Sequence, residues 1–323
     1  MKILGIESTA HTAGISVIDS KGKILSDYKD MYQTEKGGII PSEAALHHKK
    51  IFPELLKKVL TKVEIKDMDL ISFSMGPGLA PSLIQGMNFA KELSKQYKIP
   101  LIGVNHILAH LLIGHLFTKA KNPVYVFVSG ANTQIISLED KFFRIFGETL
   151  DIGMGNAFDK FGRDVGLGFP SGHKIEQLAK QGKYHELPYV VKGMDLSFSG
   201  IITKAVNDYR KGIKKEDLCF SLQETCFAML TEVAERALAH TNKNEVLLIG
   251  GVAANKRLIE MLTTMCNERK AKFYTVPLGY AGDNAAMIGY LGYLQSKNKE
   301  YFKEKLDIKP NWRIDQIEIN FNV

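Results

Sequence analysis

Cysteine is scarce in this chain. Cys219, Cys226 and Cys266 are the only three in 323 residues, with no C-x-x-C pair. An odd number without that spacing argues against a disulfide framework and against a cysteine-based zinc site, and it fits a reducing cytoplasm. Long apolar runs are also lacking. The most hydrophobic stretches, 107–117 and 246–254, are short or interrupted by His or Gly, whereas a membrane span needs about 20 apolar residues; no membrane association is expected. The opening MKILGIEST turns polar within seven positions, so it is not expected to act as a signal peptide. No low-complexity segment or long block of one charge interrupts the chain, and Pro and Gly are scattered. What is present is ordinary for a globular protein: 45% hydrophobic and 24% charged residues, which excludes disordered and fibrous classes. The length suggests one large or two mid-sized domains at roughly 100–200 residues each. Lys and Arg number 42 against 35 Asp and Glu, a net charge of +7. That balance suits an anionic partner, nucleic acid included, and equally a plain Lys-rich surface.

An internal echo organises the chain. Residues 2–19, KILGIESTAHTAGISVID, read as an apolar strand, a small polar turn and a second strand, and residues 123–140, PVYVFVSGANTQIISLED, repeat that order. Helical periodicity follows both. After the first hairpin it predicts a helix over 42–62, a strand near 70–74, a helix near 81–97, a strand over 100–104 and a helix carrying His106 and His110. After the second it predicts helices near 156–162, 175–181, 200–209 and 218–240. A buried strand over 245–249 then leads through Gly250-Gly251 into a helix from about Ala254, followed by a strand over 273–276 and a last helix from Asp283 to about Ser296. A duplicated strand-turn-strand unit with alternating helices and strands is the plan of the actin-like ATPase fold of sugar kinases and Hsp70-type proteins. That is an α/β class with two duplicated halves and a central cleft, in which hairpin turns offer N–H groups to phosphate oxygens. The repeat favours this plan over a generic α/β protein with two unrelated hairpins. The expected halves are 1–120 and 121–323, with a helical insertion at about 150–240 and a last helix able to pack back on the N-terminal half.

Several short segments carry candidate chemistry. Glu7-Ser8-Thr9 and Ser129-Gly130-Ala131-Asn132-Thr133 occupy the two hairpin turns, where Ser/Thr turns are common in any case. Gly250-Gly251 after an apolar strand admits a close ligand or simply makes a tight turn, and Asn255 is placed to cap a helix or touch that ligand. His106 and His110 stand four apart, which puts both imidazoles on one helical face, a spacing that chelates divalent metals but also occurs in ordinary histidine pairs. Ile107 follows His106 where a metalloprotease would carry Glu, so H-E-x-x-H is excluded. Asp283 opens the last helix, where an N-cap is the common role.

Taken together the segments resemble one family over nearly the whole chain: the universal tRNA threonylcarbamoyladenosine transferases (TsaD), in particular the archaeal and eukaryotic catalytic subunit of the KEOPS complex. The segments are GIESTA (5–10), SMGPGLAPSL (74–83), GVNHILAH (103–110), VSGANTQI (128–135), FGETLDIGMGNAFDKFGR (146–163), GMDLSFSG (193–200), SLQE (221–224), ERALAHT (235–241), GGVAANKRL (250–258) and GDNAAMI (282–288). The resemblance implies transfer of a threonylcarbamoyl group from threonylcarbamoyl-AMP to N6 of adenosine 37 in tRNAs reading codons that begin with A. It implies one metal, iron or zinc, on His106, His110 and Asp283. It also implies an adenylate held by the loop Phe127, Val128, Ser129, Gly130 and Ala131 together with Asp159, Gly172, Glu176, Gly250, Gly251 and Asn255. Glu7 is a candidate acceptor for the amine proton, or a residue that merely shapes its turn. The implied partners are tRNA, an atypical kinase-like ATPase subunit and a small dimerising subunit. The kinase is fused to this subunit in some relatives and is expected here as a separate chain.

Three departures stand out. The family's fourth metal ligand is a Tyr where this chain has Phe127, and Tyr125 lies two residues earlier, displaced by about 7 Å along a strand. Ala131 replaces the second Gly of SGGNT, and Ser171 and His173 replace Gly and Pro in PGGP while Gly172 and Glu176 are kept. An actin-like small-molecule kinase and a non-catalytic scaffold paralogue are the alternative readings.

Overall fold

The computed structural model describes residues 1–34, 38–299 and 306–321. It begins with β1 (Lys2–Glu7), β2 (Thr12–Asp19), β3 (Ile24–Met31), α1 (Pro41–Leu60), β4 (Leu70–Gly76), α2 (Ala80–Tyr97), β5 (Leu101–Asn105) and α3 (His106–Phe117). There follow β6 (Val124–Val128), β7 (Thr133–Glu139), β8 (Phe142–Glu148), α4 (Met154–Asp164), α5 (Gly172–Ala179), the short β9 (Val191–Lys192) and β10 (Asp195–Leu196), α6 (Ser199–Arg210) and α7 (Lys215–Thr241). The chain closes with β11 (Glu245–Ile249), α8 (Lys256–Glu268), β12 (Lys272–Thr275), α9 (Leu278–Ala281) and α10 (Ala285–Ser296). Two compact units divide these elements: Met1–Thr34, Gly38–Phe117 and the described residues from Asp283 onward in the first, Thr118–Gly282 in the second.

Each unit is built on a five-stranded sheet, with the orders β3-β2-β1-β4-β5 and β8-β7-β6-β11-β12. The two orders are the same. In both, the first three strands form an antiparallel meander, and the last two run parallel to the strand that ends it. This is the duplication that residues 2–19 and 123–140 announce. The central strands β1, β4, β6 and β11 are buried almost throughout, which is why they read as near-continuous apolar runs. The edge strands β3 and β8 are half-exposed and mixed in composition, and their sequences carry no comparable signal.

In the first unit a core of Leu4, Ile6, Ile15, Val17, Phe52, Leu55 and Phe73 lies between the sheet and the helices α1 and α2. Helix α10 packs on β1, β2 and β4 from far along the chain. It comes very close: a Cβ on Gly5 would lie 2.1 Å from the Ala285 carbonyl oxygen, and one on Gly292 would lie 2.4 Å from Ser72. The Ser72 hydroxyl donates to Ile288 O at 2.8 Å. This backbone-on-backbone seat fixes the start of α10, and with it Asp283. Parallel strands have their C-terminal ends at one sheet edge, where ligands of open α/β sheets bind. In the first unit that edge carries Glu7 and Asn105, and in the second it carries Val128 and Ile249.

Among the described residues, no helix is long and apolar enough to cross a membrane. The three cysteines are buried thiols, and burial pushes Cys219 up to about 12 and Cys266 up to about 11.

Candidate functional site

The first unit gathers the two histidines and Asp283. His106 is the first residue of α3 and His110 lies one turn on, so both imidazoles leave the same face, with ring centroids 4.6 Å apart and planes at 89°. Asp283 is not the cap of α10. Asn284 takes that role, its Oδ1 accepting from Met287 N at 2.9 Å, and Asp283 stands outside the helix with its carboxylate free to turn toward the histidines. Its Oδ1 lies 3.1 Å from His110 Nε2 and 3.5 Å from His106 Nε2. All three ligand atoms fall within 4.8 Å of one another. Ligands about 2.0 Å from a tetrahedral zinc or iron sit about 3.3 Å apart, and two imidazole nitrogens with one carboxylate oxygen make a donor set that such ions accept. The residues fit a divalent metal.

Glu7 completes the arrangement from behind. It ends β1, is fully buried, and its Oε2 lies 3.0 Å from His106 Nδ1. Its Oε1 accepts from Thr9 N at 2.7 Å and Thr9 Oγ1 at 2.5 Å. A carboxylate on Nδ1 fixes the tautomer that leaves Nε2 as the coordinating nitrogen. Burial depresses both imidazoles, but at His106 the Glu7 and Asp283 carboxylates outweigh it and push the ring up to about 10. At His110 burial prevails and the ring stays below its usual value. Asp283 is held well below the carboxylate range despite burial, because both imidazoles bond to it. Two carboxylates at one buried place draw positive charge, which a proton on His106 or a divalent ion satisfies.

The second unit brings together a different set. Phe127 and Val128 are the buried end of β6, and Ser129, Gly130 and Ala131 form the partly exposed turn after it. Ser129 N donates to Asn132 O at 2.8 Å and Asn132 N to Ser129 Oγ at 3.1 Å, which closes the turn. The start of α4 presses on it: a Cβ on Gly153 would lie 2.4 Å from Ala131 C, and one on Gly155 would lie 2.8 Å from Ser129 O. Asp159 Oδ1 accepts from Ser171 N at 2.6 Å, just before Gly172 opens α5. Glu176 Oε1 accepts from Lys256 N at 2.9 Å and so ties α5 to the start of α8. After β11, Gly250 has φ 105°, and a Cβ there would lie 2.2 Å from Val128 O, so only glycine lets the two loops meet. The expected helix from Ala254 is a 3₁₀ turn over Gly251–Ala254, and α8 starts at Lys256. Asn255 caps it, accepting from Arg257 N and Leu258 N, while its Nδ2 donates to Gln223 Oε1 at 2.7 Å.

Comparison with known proteins gives this geometry a family. Residues 23–290 match the family TsaD, described as tRNA N6-adenosine threonylcarbamoyltransferase. A Thermococcus sibiricus protein of that name is 53% identical over 326 residues, covering 99% of this chain and 100% of its own. The chain belongs to the TsaD family. A Methanocaldococcus jannaschii relative named "Probable bifunctional tRNA threonylcarbamoyladenosine biosynthesis protein" is 50% identical over 323 residues, and this chain spans 99% of itself but 60% of that protein. The crystal structure of full-length HypF in its phosphate- and nucleotide-bound form has a TM-score of 0.63 at 15% identity, covering 93% of this chain and 56% of HypF. That likeness is one of fold, and it places the chain among proteins of the actin-like ATPase fold.

The departures from the TsaD pattern have definite local settings. Ala131 is not among the residues with positive φ, so its methyl costs no backbone strain. Gly172 has open space at its Cβ position and an ordinary φ, so His173 and Ser171 flank a turn that does not itself demand glycine. β6 keeps unbroken register with β7 over Val124–Val128 and with β11 over Val124–Phe127, which leaves Tyr125 two positions from Phe127 and packed on Phe143 at 5.5 Å between centroids. Gly153, Gly155, Thr9 and Asn284 also shape these surroundings, and none of them stands out as a single position in the sequence. The Gly-Met-Gly spacing at 153–155 was the available signal for the first two.

Proposed function

We propose that this TsaD-family chain transfers the threonylcarbamoyl group of threonylcarbamoyl-AMP to N6 of adenosine 37 in tRNAs reading ANN codons, in the cytoplasm, as the catalytic subunit of a KEOPS-type complex. Full-length identity of about half to named transferases carries the reading. In the reaction the adenine nitrogen bonds to the carbamoyl carbon, the bond from that carbon to the phosphate oxygen breaks, N6 loses a proton and AMP leaves as an anion. The adenine amine is a weak nucleophile, because its lone pair is delocalised into the ring. A Lewis-acidic iron or zinc ion supplies polarisation and charge when bound.

His106, His110 and Asp283 are the residues to hold that ion, and Glu7 serves by orienting His106. Both Glu7 oxygens hold hydrogen-bond partners and the side chain is fully buried, which favours this positioning role over that of acceptor for the N6 proton. The Ser129 hydroxyl and the N–H groups of Gly130 and Ala131 offer donors to the phosphate or carbamoyl oxygens, with Phe127 and Val128 forming the base of that turn. Asp159, Gly172 and Glu176 seat the ribose, and Gly250, Gly251 and Asn255 flank the adenine. The net charge of +7 favours tRNA, with an atypical kinase-like ATPase and a small dimerising subunit as protein partners. Mass-spectrometric nucleoside analysis of tRNA incubated with threonylcarbamoyl-AMP, the chain and those partners tests the proposal. Modified adenosine at position 37 is expected. Unmodified tRNA together with γ-phosphate transfer from ATP to a small molecule would establish the kinase reading instead.

A further inference from the structure

Asn105 stands between the metal-ligating helix and a segment from the far end of the chain. It is fully buried and uses both ends of its amide. Oδ1 accepts from Leu108 N at 2.9 Å, capping the turn that begins with His106, while Nδ2 donates to Trp312 O at 3.1 Å. The segment 309–312 is fastened nearby as well. Lys309 N donates to Met75 O at 2.7 Å, and Gly78 N donates to Pro310 O at 3.1 Å. The parallel register of β4 and β5 shifts between Ser74 and Gly76, so that Gly76 faces Asn105. Gly76 has φ 152°, and a Cβ there would lie 1.9 Å from Lys309 O, so glycine is what admits the segment. A second route leads to the same histidine. Leu79 N donates to Thr9 O at 2.8 Å, and Thr9 Oγ1 lies 3.3 Å from His106 Nδ1 while sharing Glu7 with it.

We infer that residues 309–312 form a strap that holds the metal site in register, with Asn105 as the positioning residue that joins strap to site. The inference rests on the reading that His106, His110 and Asp283 hold a metal. Groups that orient metal ligands from outside are commonly worth 10–100-fold in affinity; here the Thr9 route reaches His106 itself, and the Asn105 route reaches the first turn of the helix that carries both histidines. Trp312 is the only tryptophan in the chain, with Lys309 Nζ 4.5 Å from its ring centroid, so its emission reports on the strap.

The test uses the full chain loaded with zinc and chased with excess chelator, following zinc release with an indicator dye and Trp312 emission in parallel. Asn105→Ser keeps a helix-capping oxygen and loses the amide that reaches Trp312. Lys309→Pro removes the N–H that bonds Met75 and leaves every side chain of the site in place, while Lys309→Ala keeps that N–H. We expect wild-type emission to change when zinc is stripped, Asn105→Ser and Lys309→Pro to release zinc about tenfold faster, and Lys309→Ala to match wild type. Wild-type release rates in both folded variants would overturn the inference while leaving the metal reading intact. Fast release from Asn105→Ser alone would overturn the strap, because detaching residues 309–312 at Lys309 would then leave the metal site unchanged. A wild-type chain that retains no zinc or iron would overturn the metal reading and the inference with it.

Discussion

Asp283 stands one residue before the cap of α10, and that step decides what its carboxylate does. Asn284 satisfies the helix N-terminus, so Asp283 is left to meet two imidazoles. The pairing predicts that purified protein carries close to one iron or zinc per chain. His106→Ala combined with His110→Ala should remove it without unfolding the chain; equal metal content in the double variant by elemental analysis would refute the site. Glu7→Gln probes the layer behind. The amide keeps the size of the side chain but loses the charge that holds Nδ1 protonated. Metal affinity should fall by about 10–100-fold, read by competition with a chromogenic chelator, while a fold change below about two would mean that Glu7 only shapes its turn.

At the scale of elements, the second unit rests on how closely its loops approach one another. Gly250 and Gly172 make a matched pair. The first has φ 105° and backbone where a Cβ would go; the second has open space and an ordinary φ. Gly250→Ala should therefore destabilise the chain by more than about 1 kcal/mol, measured by denaturant unfolding, and should abolish any thermal shift with adenine nucleotide. Gly172→Ala should leave stability nearly unchanged. If its nucleotide shift is nevertheless lost, a ligand passes close to that position; if the shift is kept, the ribose lies elsewhere. Asn255→Ala removes a cap and the bond to Gln223 together, and a loss of about 1–2 kcal/mol is expected.

For the whole molecule, acid stability has a recognisable contributor. His48 lies on α1, fully buried, and its Nε2 has no hydrogen-bond partner among the described residues. Burial is the largest cause of its shift and His47 adds to it, so the ring is pushed down from 6.5 to about 4. A histidine whose folded value is depressed binds its proton more readily in the unfolded chain. Unfolding therefore becomes easier as pH falls from 6.5 towards 4, and the contribution flattens below that. Against wild type, His48→Leu should show a shallower fall in melting temperature over this window. Parallel curves for the two proteins would assign the acid sensitivity to other groups.

How much of this was legible beforehand varied with the physical signal. Apolar runs marked β1, β4, β6 and β11 because strands buried on both faces have no polar side to show, and their repetition announced two related sheets. Helical spacing alone placed His106 and His110 on one face. The half-exposed edge strands β3 and β8 carry no such trace, and α8 begins two residues past the expected Ala254 because a 3₁₀ turn and a capped helix share their small residues. The sequence by itself determined the family, the repeated hairpin that opens each half and the pair of imidazoles. The resemblance adds Asp283 to that pair, while only the tertiary structure decided that Asn284 and not Asp283 caps α10, that Glu7 backs His106, and that Asn105 ties them to Trp312. The last two contacts join residues far apart in the chain, and the site depends on the glycine-to-backbone approach of Gly5 to Ala285 and of Gly76 to Lys309, a distance that no local pattern of residues encodes.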